Sequence, residues 1–211
     1  MEYTNLAYVL AAVLFIIGIK RLSSPKTAQS GNTIASLGML VAIIATIISF
    51  DLLNFKLIAI GMIIGTIIGA TFAIRVQMTQ MPQMVAIFNG FGGGASALVA
   101  CAEFGPGSET FTVIAIALSI IIGTLTFTGS FIAFGKLQGF ISGQPITFSR
   151  QQPLNALLAL VLITSTVLVI MGGEYTMIAF YLLISLAALL GIFLVIPIGG
   201  ADMPVVISLL N

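Results

Sequence analysis

The stretch Met81-Pro-Gln-Met-Val-Ala-Ile-Phe-Asn-Gly-Phe-Gly-Gly-Gly-Ala-Ser-Ala-Leu-Val-Ala100 decides the fold. An uncharged run of about 20 residues crosses the ~30 Å hydrocarbon core of a bilayer as one helix. Inside this run lies a polar Asn89, beside Gly90, Gly92, Gly93 and Gly94, which remove side chains where another helix can approach. A polar group in hydrocarbon costs roughly 2–7 kcal/mol unless it finds a partner. Asn89 is therefore a candidate functional residue. The alternative role is an interhelical hydrogen bond that holds the bundle together.

The rest of the chain has the same character. Of 211 residues, 59% are hydrophobic and 6% charged, with seven basic and six acidic side chains. So few charges cannot solvate the surface of a soluble domain of this length, and the class is an all-α, polytopic transmembrane helix bundle. A net charge of +1 points to no nucleic-acid partner. One cysteine, Cys101, excludes an internal disulfide framework, and the absence of histidine removes the usual near-neutral proton carrier. No metal-ligand spacing, Walker motif or strand-borne G-x-G-x-x-G is present, and Gly90-Phe-Gly-Gly-Gly lies within an apolar helix, where it cannot act as a nucleotide loop. The first apolar run lacks a basic leader and a cleavage site, so it reads as a helix and not as a removed signal.

Seven full spans are predicted at about Thr4–Ile19, Asn32–Phe50, Leu57–Ile74, Pro82–Ala102, Thr110–Phe134, Pro153–Met171 and Tyr175–Ile196. An eighth opens at Gly199-Gly-Ala-Asp-Met-Pro and stops about half way at Asn211. A membrane helix ending there would leave carbonyls unpaired in lipid, so the natural chain is expected to continue. Lys20, Arg21, Lys26, Arg75, Lys136 and Arg150 all fall on alternate connections, hence on one side. The positive-inside rule assigns that side to the cytoplasm and puts the N-terminus outside. The longest polar connection, Lys136–Gln152, is a surface turn or a docking loop for a soluble domain.

Within the spans, Gly61, Gly65 and Gly69 form a stripe for close helix packing, and Gly90 and Gly94 repeat it. Thr124, Thr126, Thr128 and Ser130 either line a polar path or bond back to the i−4 carbonyl. Asp202 sits at the mouth of span eight, between Gly199-Gly200 and Pro204. It either snorkels at the interface or marks a distorted helix start whose freed backbone groups meet water or a partner. Asn211 would lie about 13–14 Å deeper, at 1.5 Å per residue.

Four segments together resemble the membrane domain of the beta subunit of proton-translocating NAD(P) transhydrogenase. They are the Met81–Ala97 run, Arg21-Leu-Ser-Ser-Pro-Lys-Thr-Ala, Thr126-Phe-Thr-Gly-Ser-Phe-Ile-Ala-Phe-Gly-Lys-Leu, and Gly199 to Asn211. The likeness covers essentially the whole chain. It implies that residues 1–211 form a proton-channel domain, with nine helices in the intact membrane part. It further implies a bacterial inner membrane location and hydride transfer between NAD(H) and NADP(H) in soluble domains, driven by proton passage. The NADP(H) domain would follow on the same chain and is absent here, so this stretch binds no cofactor itself. An alpha-type subunit would supply the NAD(H) domain and further membrane helices, and the complex would be a dimer in the lipid bilayer.

Residue by residue, the resemblance implies that Asn89 stands where many members carry a proton-path histidine. Asn211 and, less directly, Ser130 match polar residues of the same path. Asp202 matches an aspartate that couples the channel to the NADP domain. The amide at 89 cannot titrate near neutrality, so the titrating group is expected from a partner helix, with a histidine-free water wire as the other option. Two rival classes are a secondary transporter, which a solute-dependent current without nucleotides would support, and a purely structural membrane subunit, which proton flux through the complex would exclude.

Overall fold

Apolar runs with no water to bond their backbone have one local solution, the α-helix. The computed structural model describes residues 2–49, 55–105 and 107–210, and among these every regular element is helical. In chain order they are α1 (Glu2–Leu22), α2 (Ala28–Ser49), α3 (Phe55–Arg75), α4 (Met81–Glu103), α5 (Thr110–Leu137), α6 (Gln151–Met171), α7 (Thr176–Val195) and α8 (Met203–Leu210). Single 3₁₀ turns at Met78–Gln80 and Gly200–Asp202 lead into α4 and α8. Seven of the helices are long and apolar enough to cross a membrane, in line with the seven expected spans.

The boundaries differ from the expected ones where polar residues cap the spans. Helix α1 runs on through Lys20 and Arg21, whose charges face the carbonyl end of the helix dipole. Helix α5 continues through Lys136 to Leu137, and α6 starts at Gln151. The polar connection is therefore shorter than Lys136–Gln152, because both end residues join helices.

Contacts divide the chain into two compact units, Met1–Ala70 and Thr71–Asn211. In the first, α1 and α2 form an antiparallel hairpin. A Cβ at Gly31 would lie 2.8 Å from the Gly18 carbonyl, so the two helices approach backbone to backbone. Tyr8 Oη and Thr46 Oγ1 share a 3.0 Å hydrogen bond near one end, and Arg21 Nη1 donates to Ser30 Oγ at 3.1 Å near the other. Helix α3 has no buried residue among those described. Side chains built at Gly61, Gly65 or Gly69 would meet nothing within 4 Å.

In the second unit α5 is the hub. It packs on α4, α7 and α8, and α6 lies against α7. Lipid tails are as apolar as leucine, so association here rests on close packing and not on expelling water. The interfaces use small residues accordingly: Ala86, Ala117, Ala133 and Ala187 are fully enclosed. Ile120 and Leu183 fill one core layer, while Val195, Met203 and Ile207 fill another where α4, α5, α7 and α8 meet.

Candidate functional site: a polar-walled groove between three helices

On α4, Asn89, Gly92, Gly93 and Ser96 follow an i, i+3, i+4, i+7 spacing and share one face. Ser119, Ile122, Gly123 and Thr126 do the same on α5, and Pro204, Ile207 and Ser208 on α8. These three faces meet around a groove of about 1010 Å³. Phe88, Val85 and Leu118 supply apolar wall, and the side-chain polar groups on it are one amide and hydroxyls. Amides and hydroxyls both donate and accept hydrogen bonds, and neither titrates near neutral pH. The groove can thus relay hydrogen bonds but has no protonatable group of its own among the described lining residues.

Two hydrogen bonds tie its walls together. Asn89 Nδ2 donates to Ser130 Oγ at 3.0 Å, joining α4 to α5. Thr126 Oγ1 donates to the Leu210 carbonyl at 2.9 Å, joining α5 to α8. Behind them the helices nearly touch. A Cβ at Gly93 would lie 2.7 Å from the Gly123 carbonyl oxygen, and one at Gly123 would lie 2.8 Å from the Ala97 amide nitrogen. Real Cβ atoms do not come so close to backbone, so only glycine fits at either position. Gly90 and Gly94 lie against the rings of Phe131 and Phe127. Phe131 in turn meets Phe91 edge-on at 5.5 Å, closing the seam.

At the end of α5 the chain is stitched more tightly than its polar sequence suggests. Lys136 is only 4% exposed. Its ammonium donates to the carbonyls of Gln144 (3.1 Å), Ile196 (2.6 Å) and Ile198 (2.7 Å), which uses all three of its N–H bonds. Gly200 N–H donates to the Gly143 carbonyl at 2.8 Å, and Gln83 Nε2 reaches the Leu137 carbonyl at 3.2 Å. The backbone from α7 to α8 is extended at Gly199 and then turns once as 3₁₀ through Asp202, so this helix start is indeed broken.

Asn89 is half-buried on the groove wall, whereas Ser130 is wholly buried behind it as the amide's partner. Asp202 is exposed on the elbow before α8 and is not a wall residue. Asn211 lies outside the described residues. Thr128 bonds back to Thr124 and Leu125 carbonyls within α5, but Thr126 reaches across to α8. Sequence reasoning did not single out Ser96, Ser119 and Ser208 as wall residues or Lys136 as a clamp. The i, i+3, i+7 spacing of small and polar residues was the available signal for the serines.

A family model described as NAD(P) transhydrogenase beta subunit matches residues 4–211. The protein named NAD(P) transhydrogenase subunit beta from Rhodospirillum rubrum is 42% identical over 218 residues, covering 99% of this chain and 47% of that protein. A second Rhodospirillum rubrum sequence of the same name matches to the same extent. The chain thus spans about half the length of the curated relatives it matches.

Proposed function

The chain belongs to the NAD(P) transhydrogenase beta-subunit family, and from that premise we propose that its helices form the proton-conducting membrane part of the enzyme. In this reading, proton passage across a bacterial inner membrane is coupled to hydride transfer between NAD(H) and NADP(H). That chemistry belongs to soluble domains outside these residues: an NADP(H) domain following on the same polypeptide, and an NAD(H) domain on an alpha-type subunit. The complete assembly is a dimer of such complexes. Residues 90–94 cannot cradle a dinucleotide phosphate, because their amides lie within the α4 helix ladder.

The observation that carries the reading is Asn89, a half-buried amide on a groove wall within apolar helices, bonded to a buried hydroxyl. An amide holds hydrogen-bond partners in place without taking up the proton itself. The titrating group then comes from a helix of the alpha-type subunit that faces the groove. A proton arriving there places a charge in a medium of low dielectric, where its interactions are strong. It competes for the Asn89 amide and changes which partner that amide holds.

Coupling at a distance requires two arrangements that the proton stabilises unequally. The Asn89–Ser130 and Thr126–Leu210 bonds offer a route by which such a change moves α4 and α5 against α8. Asp202, on the elbow that opens α8, then transmits the movement to the NADP(H) domain at the cytoplasmic face.

The test is proton uptake by vesicles carrying the whole complex, soluble domains outward, on addition of NADPH and NAD⁺. Uptake that follows hydride transfer supports the reading. A current that depends on another solute and needs no nucleotide would identify a secondary transporter, and hydride transfer with no proton movement would leave these helices a structural role.

A further inference from the structure

A lysine inside a helix bundle is costly unless its ammonium is fully hydrogen-bonded. Lys136 meets that demand without an acid, by gathering three backbone carbonyls, one eight residues onward and two some 60 residues onward. One lies on the connection after α5. The other two, those of Ile196 and Ile198, lie just past the end of α7, immediately before the Gly199-Gly200 break. The same α5 carries Ser130, the partner of Asn89, less than two turns earlier.

We propose that Lys136 is the positioning residue that joins the polar groove to the Asp202 elbow. This rests on the proton-conducting reading above. A shift of α5 that begins at Ser130 moves Nζ, and Nζ carries the Ile196 and Ile198 carbonyls with it. The elbow cannot lag behind, because the Gly200 N–H to Gly143 carbonyl bond fastens it to the connection that Lys136 also holds. Lys136 touches neither proton nor nucleotide. It makes the end of α5, the 138–150 connection and the start of α8 move as one body.

The experiment uses the whole complex in vesicles and reads two quantities: protons taken up per hydride transferred, and hydrogen exchange at the amides of Ile196 and of residues 198–202. In the wild type, the Gly200 amide is expected to exchange slowly. Lys136→Met should speed exchange across this segment by about ten-fold or more, as local opening becomes easier. It should also lower protons per hydride at least several-fold, and Lys136→Arg should restore part of the ratio. A purely structural lysine would reduce both rates together and leave their ratio intact. That result, or unchanged exchange, would overturn the proposal. If Lys136→Met does not assemble, Lys136→Gln is read in the same way, and rapid wild-type exchange at Gly200 alone refutes the clamp. A wild-type complex that moves no protons would overturn the functional reading and this one with it. Normal wild-type pumping with an unaltered ratio in the variants would overturn this one only.

Discussion

Asn89 on α4 donates its side-chain N–H to the hydroxyl of Ser130 on α5 across 3.0 Å, and Ser130 is wholly enclosed. The bond crosses between two helices that otherwise meet largely through small residues and phenylalanine, with Gln83 Nε2 and the Leu137 carbonyl joined nearer one end. Such bonds within membrane bundles contribute about 0.6–2 kcal/mol. Its place on the groove wall makes it both a fastening and a point where another hydrogen-bonding group can intervene.

Ser130→Ala removes the acceptor and keeps the volume. The bundle should remain assembled with a loss of about 1 kcal/mol, since the Asn89 amide can turn toward the groove. Thermal unfolding of the detergent-solubilised complex should show a lower Tm of a few degrees, and coupling between proton uptake and hydride transfer should fall.

Gly123→Ala should be more damaging than its size suggests. Its methyl group would lie 2.8 Å from the Ala97 amide nitrogen, and backbone cannot turn aside as a side chain can. We expect about 1–3 kcal/mol of destabilisation as α4 and α5 separate. Gly93→Ala strains the same approach from the other side, so the double variant should cost less than the two single losses together. Additive melting shifts would contradict a shared point of contact.

Thr126→Val tests the tie between α5 and α8. The change is nearly isosteric and leaves the Leu210 carbonyl without its hydroxyl donor. A loss of about 0.5–1.5 kcal/mol is expected, concentrated in faster hydrogen exchange within α8 and not in α4.

Asp202→Asn keeps the shape of an exposed side chain, so stability should stay within about 0.5 kcal/mol. If Asp202 transmits movement to the NADP(H) domain, protons per hydride should nevertheless fall. Unchanged coupling would reduce it to an anchor at the interface.

These residues also show how far the sequence could be read. The expected span Pro82–Ala102 became α4 at Met81–Glu103, because a charge-free apolar run in lipid has no alternative to a helix. Which face of a span meets which neighbour is another matter. When all faces are apolar, hydropathy has no contrast to report, so the Gly93–Gly123 approach was not legible. The glycine stripe on α3 was as conspicuous in sequence, yet nothing stands against it among the described residues. Asn89 stood out because an amide is rare in hydrocarbon; Ser130 was one of four hydroxyls on α5, and nothing local marked it as the amide's partner. Lys136 was read as a loop charge, since no local pattern reveals that its ammonium turns back onto carbonyls some 60 residues onward.

The most direct test of the proton path is Asn89→Leu in the complete complex, reconstituted into vesicles, with proton uptake and hydride transfer recorded together. Leucine matches the amide in size but can neither donate nor accept. Proton uptake should fall at least ten-fold, equivalent to about 1.4 kcal/mol or more on the limiting step, while the complex assembles normally. Wild-type uptake with leucine at position 89 would show that protons do not pass by this groove.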